Sequence, residues 1–167
     1  MEKPNVLYHA SSNKDIEVFE PRANGVRDMS EGPVVFATPD KAFASIFLVK
    51  TNGKWAKISR WTSNGVTTPW HLIVKGKRKF KRRDHGGAIY HLPSESFTFD
   101  PDKGVGGSEW TSRSEIRPSG KDLYDSGFRA MIDYGVEVYF VGRLTFRKIK
   151  RSEDHGYEIV SKLKKEQ

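Results

Sequence analysis

Apolar residues occur in short runs broken by turn residues, a pattern that predicts many short strands and few helices. Val6–Ala10 (VLYHA) is a compact run of β formers and reads as a first strand. Gly32–Thr38 opens with Gly-Pro, continues through Val34, Val35 and Phe36, and reads as a second. Thr38-Pro39-Asp40 then has the chemistry of a helix start, with Thr38 as N-cap, Pro39 in the first turn and Asp40 favourable to the helix dipole. That helix is expected to run to about Lys50. Its Ala42, Phe43, Ile46, Phe47 and Leu48 cover more than one stripe, which predicts a largely buried helix. After the Asn52-Gly53 turn, Lys54–Trp61 and Trp70–Val74 read as strands around a Ser63-Asn64-Gly65 turn.

Gly86-Gly87 is a break, followed by a strand at Ala88–Leu92 and a helical turn at Ser94–Phe97. Asp100–Ser108 reads as a loop, and Glu109–Ser112 as a strand continuing towards Ile116 and stopping at Pro118. Lys121–Tyr134 is the second expected helix. Its apolar face is Tyr124, Phe128, Met131 and Ile132, and Gly135 ends it. Val136–Val141 is a further strand, and the charged tail from Arg143 is read as a final strand with a frayed end. Six to eight short strands with two helices define an α+β class.

The chain's 167 residues suit one core, so residues 1–167 are expected to form a single domain with a basic C-terminal tail from about 143. Aromatic residues make up 12% of the chain, enough large side chains to argue against disorder. The absence of cysteine excludes disulfides, thiolate metal sites and cysteine nucleophiles. No apolar run is long enough for a membrane span, and the first residues lack the apolar core of a signal peptide, so a cytoplasmic protein without membrane contact is expected.

Charge is concentrated. The net charge is +8, and Lys75–Arg83 (KGKRKFKRR) holds seven cations, Lys75, Lys77, Arg78, Lys79, Lys81, Arg82 and Arg83, with no acidic residue. Such a segment either contacts a polyanion, DNA or RNA, or is a solvated strand edge whose lysines oppose sheet-to-sheet pairing.

Among residues able to do chemistry, His9 stands in the first strand, where its ring offers a nitrogen to a ligand or is simply hydrogen-bonded in the core. The five histidines have no metal-ligand spacing, so no metal site is expected. Nucleotide-binding and hydrolase glycine motifs are missing. Glu109 follows the Gly104–Gly107 loop at a strand mouth, either approaching a substrate or lying on the surface, and Glu115 is a competing carboxylate.

The order of Tyr8-His9-Ala10-Ser11, then Val35-Phe36-Ala37-Thr38 before a helix, then Ser108-Glu109-Trp110-Thr111 resembles the ADP-ribosyltransferase family in its His–Tyr–Glu branch. The resemblance spans about Val6 to Val141. It implies two small antiparallel sheets around an NAD cleft with helices outside. It also implies that His9 binds the NAD ribose, that Phe36 stacks on nicotinamide, and that Glu109 is catalytic. Ala10, Ser11, Thr38 and Arg22 are further NAD-binding candidates, and Arg27 and Gly25 are candidates near the pyrophosphate. Two positions depart from the family pattern: Phe36 replaces the usual tyrosine, and Ala10 a frequent glycine.

The implied chemistry fits these residue types. Nicotinamide leaves as a neutral molecule, so no general acid is needed, and one carboxylate suffices to stabilise an oxocarbenium-like ribose. The expected activity is transfer of ADP-ribose from NAD to a macromolecular acceptor, with nucleic acid favoured by the basic segment. Two alternatives remain. One is RNA 2′-phosphotransfer with NAD as acceptor. The other is a non-catalytic nucleic-acid-binding module in which Trp55, Trp61 and Trp70 form a stacking surface, unless they are core.

Overall fold

The computed structural model describes residues 3–23, 32–101 and 108–166. In chain order the elements are β1 (Val6–Ser11), β2 (Val35–Ala37), α1 (Lys41–Ser45), a 3-10 turn (Ile46–Leu48), β3 (Ala56–Ser59), β4 (Thr62–Ser63), β5 (Val66–Thr67) and β6 (His71–Lys75). They continue with α2 (Lys77–Arg83), β7 (Gly87–Pro93), β8 (Thr98–Phe99), β9 (Trp110–Ser112), β10 (Gly120–Tyr124), α3 (Gly127–Asp133), β11 (Glu137–Val141), α4 (Arg143–Arg151) and α5 (Tyr157–Val160). The strands form small sheets, with orders β1-β7-β10, β2-β9-β8 and β11-β6-β3, beside a β4-β5 hairpin. The class is α+β. Among the described residues there are thus three three-stranded sheets rather than two. The β6–β11 pairing is parallel, although the other ladders are antiparallel.

Each sheet buries residues in the alternation its sequence implies. In β6, Leu72 and Val74 face a core with Phe43, Trp70, Phe80 and Val138, while Ile73 faces a second core with Tyr139, Phe146 and Ile149. In β7, Ala88, Tyr90 and Leu92 pack with Leu7, Val35 and Trp110. The Gly86 break is steric: φ is +67°, and a Cβ there would lie 2.0 Å from the Tyr124 carbonyl oxygen. No helix of the described residues is long and apolar enough to cross a membrane.

Several expected elements are corrected. The cap of α1 is Asp40, not Thr38: its carboxylate accepts the Ala42 and Phe43 N–H groups at 2.9 and 3.2 Å, while Thr38 Oγ1 accepts the Asp40 N–H. The carboxylate outcompetes the hydroxyl as acceptor for the unpaired amides of a first turn. Phe47 is 46% exposed, so this helical segment is less buried than its composition implies. The long second helix is split. Residues 120–124 pair with β7, and only after the Ser126 cap does the chain turn helical. Ser94–Phe97 is a tight turn closed by Phe97 N–H on the Ser94 carbonyl. The tail from Arg143 is helical rather than extended, because Phe146 and Ile149, three residues apart, face one core.

The basic segment is likewise not a strand edge. Lys75 ends the central strand β6, and the other six cations lie on α2, which is anchored by its one buried residue, Phe80. Trp55 and Trp70 are 3% and 2% exposed. The Trp70 Nε1–H donates to Asp40 Oδ2 at 2.7 Å. These two indoles are core, which removes most of the stacking surface required by the binding-module alternative.

Asp84 pins the end of α2 to the start of α3. Its oxygens accept from Gly86 N–H, Ser126 Oγ–H, Gly127 N–H and Phe128 N–H at 2.6–3.2 Å. Burial alone pushes this carboxyl up, but the bonds from Phe128, Ser126, Gly127 and Gly86 outweigh it and hold it below its usual value. A carboxyl lowered on folding contributes stability that is present above pH ~4 and lost as pH falls through the folded value. Asp84→Ala should therefore cost about 2–3 kcal/mol at pH 7 in urea unfolding. The difference from the unsubstituted protein should narrow in acid. A cost that does not change with pH would contradict this account.

Candidate active site

Strands β1 and β2 meet at one antiparallel rung. Tyr8 N–H donates to the Thr38 carbonyl at 2.7 Å, and Thr38 N–H to the Tyr8 carbonyl at 3.0 Å. By the two-residue period of an antiparallel ladder, the next rung would join Ala10 to Phe36. It is not made. The Phe36 carbonyl instead lies 2.6 Å from His9 Nδ1. A carbonyl oxygen only accepts, so Nδ1 carries the proton and Nε2 of the neutral ring is an acceptor. The ring is braced by Phe19, 4.7 Å away between centroids. Burial pushes the His9 pKa down, the Phe36 carbonyl opposes this, and the Arg22 charge lowers it further. The imidazole is therefore neutral at pH 7. The same period directs the Ala10 N–H and C=O out of the β1–β7 ladder, into the gap where the Phe36 rung would have been.

That gap opens into a cleft of about 510 Å3, a size suited to a small-molecule ligand. One wall is β1, with Tyr8, His9 and Ala10; β2 contributes Phe36, Ala37 and Thr38. The third strand is β9, whose Trp110 pairs with Ala37, so the preceding Glu109 comes alongside Thr38. Glu109 is half-buried and lines the cleft. Three adjacent strands thus bring His9, Phe36 and Glu109 together, along with Ala10 and Thr38.

Other expected site residues fall elsewhere. Ser11 Oγ accepts the Asn13 N–H in the turn after β1, and Ser11 does not line the cleft. Arg22 is exposed and pairs through its backbone with Val34; its charge reaches His9 although it does not line the cleft. Glu115 is exposed and is not part of the wall. Gly25, Arg27 and the Gly104–Gly107 loop lie outside the described residues. Of the basic segment, Lys77 pairs with Glu166 at 2.7 Å, while Lys79 and Arg83 lie over the Trp55 ring. Arg78, Lys81 and Arg82 are exposed.

The sequence reading missed Tyr8, Ala37, Phe43, Ala44, Phe47 and Lys50, which complete the wall. Phe43 and Phe47 stand four residues apart, with rings 5.2 Å from each other. That spacing was visible in the sequence, but it marks core and cleft aromatics equally. No protein-family model, curated protein or solved structure matches the chain.

The protonation of His9 is checkable. Nitrogen-detected NMR of the imidazole at pH 7 should show a protonated Nδ1 and a bare Nε2, with a titration midpoint below 6.5. Because the folded value is lowered, its stabilising contribution is present above the unfolded value and declines as pH falls through the folded one. A midpoint above 6.5 would contradict the buried, Nδ1-donating arrangement.

Proposed function

We propose that the cleft binds NAD and that the protein transfers ADP-ribose to a macromolecular acceptor, with a fold of the ADP-ribosyltransferase kind. The observation that carries this reading is the open rung between β1 and β2, lined by an aromatic face, a neutral histidine and a carboxylate. The Ala10 N–H and C=O form a donor–acceptor pair that suits a primary carboxamide, the polar group of nicotinamide. The Phe36 ring offers a stacking face, and the missing tyrosine hydroxyl leaves that face intact. The Ala10 methyl is accommodated in a cluster with Ala44, Leu48 and Ile89.

In the reaction, the bond from the ribose C1′ to the nicotinamide nitrogen breaks, and its electron pair leaves with nicotinamide as a neutral molecule. An acceptor nucleophile forms the new bond to C1′ and releases its proton to solvent. His9 Nε2 accepts a ribose hydroxyl and fixes the sugar. The Glu109 carboxylate stabilises the positive charge growing on the ribose, an interaction stronger in the transition state than in the bound substrate. The binding-module alternative has two of its three indoles, Trp55 and Trp70, in the core, and no specific observation favours phosphotransfer.

The test is nicotinamide release from NAD. Glu109→Gln keeps the side chain's shape and removes its charge, so turnover should fall about 10²–10³-fold while NAD affinity changes much less. Equal turnover in the two proteins would remove Glu109 from the mechanism. Absence of release by folded protein with protein, DNA and RNA acceptors would overturn the transferase reading.

A further inference from the structure

A second cleft, of about 520 Å3, adjoins the first and shares Phe47 with it. Its other walls include the Thr51–Gly53 turn, Lys57, Ile58 and Lys150, with no acidic side chain among them. Lys57 lies on β3 and Lys150 on α4, yet both ammonium groups are held by backbone carbonyls. Lys57 Nζ donates to the His155 carbonyl at 2.9 Å, and Lys150 Nζ to the Gly53 carbonyl at 3.0 Å. Burial pushes the Lys57 pKa down; Asp154 opposes this, and the neighbouring Lys150 charge adds to it. Asp154 is itself occupied, accepting the Gly156 and Glu158 N–H groups.

The two basic helices, far apart in sequence, converge on this turn. From α2, Lys79 covers the Trp55 ring at 4.5 Å, and the Arg83 guanidinium donates to the Lys50 carbonyl. From α4, Lys150 reaches the Gly53 carbonyl. Lys54 is exposed at the turn, and Lys50 is exposed in the wall of the first cleft. Phe47 stands between the clefts with nearly half its surface in solvent. A row of cations whose neighbouring carboxylate, Asp154, is held by backbone N–H groups outside the cleft wall, and which ends at an exposed aromatic ring, matches how a single strand is held: phosphates on the cations and a base on the ring.

We infer that the acceptor is a single-stranded nucleic acid lying in the second cleft, its phosphates on Lys57, Lys150 and the flanking cations, with a base over Phe47 at the entrance to the NAD cleft. This rests on the transferase reading and adds to it a role for Phe47, which lines both clefts, as the divider between donor and acceptor. A base so placed presents a nitrogen or oxygen lone pair to C1′. The new bond forms there as the bond to nicotinamide breaks, and the base's proton passes to solvent.

The test measures strand binding without NAD, by anisotropy of fluorescein-labelled single-stranded DNA and RNA of one sequence, about 12 nucleotides long. Affinity should fall with salt, and Lys150→Gln should reduce the log–log slope by about 0.7, one phosphate contact. Phe47→Ala should weaken binding about 5- to 150-fold and leave the slope unchanged, the signature of a lost base stack. Arg129→Gln, on the exposed face of α3, should do neither. The DNA and RNA arms identify the strand used. Incubation with NAD should then add ADP-ribose to that oligonucleotide. Nicotinamide release without strand binding, or a Lys150→Gln slope equal to that of Arg129→Gln, overturns the acceptor proposal and leaves the NAD reading standing. Strand binding without nicotinamide release by any acceptor overturns both the transferase reading and the acceptor role.

Discussion

Two backbone hydrogen bonds between Tyr8 and Thr38 hold β1 to β2, and beyond them His9 Nδ1, rather than the Ala10 N–H of a second rung, engages the Phe36 carbonyl. This exchange of a peptide donor for a side-chain donor has three consequences. It satisfies the Phe36 carbonyl, which would otherwise lose a hydrogen bond on leaving water. It fixes the histidine's tautomer. It also leaves the Ala10 peptide groups facing a gap rather than a neighbouring strand. The cleft is built on that gap, and Glu109 reaches it because β9 pairs with β2 in a register that sets Trp110 against Ala37.

The surroundings hold the seam open from outside. Asp40 caps α1 and binds the Trp70 indole, so the helical segment carrying Phe43 and Phe47 is tied to the strand sheet beneath it. Asp84 does the same for α3, whose Ala130 packs with Ala10 and Ala44. In both places one carboxylate serves several donors from different elements, a charge-assisted arrangement stronger than neutral hydrogen bonds. The cations of α2 and α4 contribute less to this framework. Several rest over aromatic rings or on carbonyls at the rim of the Lys50–Trp55 turn, and there they set the sign of the surface beside the cleft.

The strands were legible where β-branched and aromatic residues cluster, as in β1, β6 and β11, and the Asn64-Gly65 turn was legible because both residues take positive φ. The order of His9, Phe36 and Glu109 was also readable, although their convergence depends on strand register, which sequence does not display. Helices were less legible. In α2 a single apolar residue, Phe80, lies among six cations and carries no period. In α4 the Phe146–Ile149 spacing was present, but it was obscured by the charge around it. Lys121–Tyr134 read as one helix because Tyr124 happens to stand four residues before Phe128; pairing of 120–124 with β7 overrides that spacing. The missed cleft residues Phe43 and Phe47 have the composition of core, and only the position of the seam makes them walls.

The central claim is that the gap at Ala10 and His9 receives the nicotinamide end of NAD. Its most direct measurement is an amide and imidazole NMR titration of the protein with NAD. Saturable shifts at the Ala10 N–H and at His9 Nε2, larger than those in the β4–β5 hairpin, none of whose residues lines the cleft, are the expected result. Unchanged Ala10 and His9 signals at millimolar NAD, in protein whose spectrum shows it folded, would contradict the account.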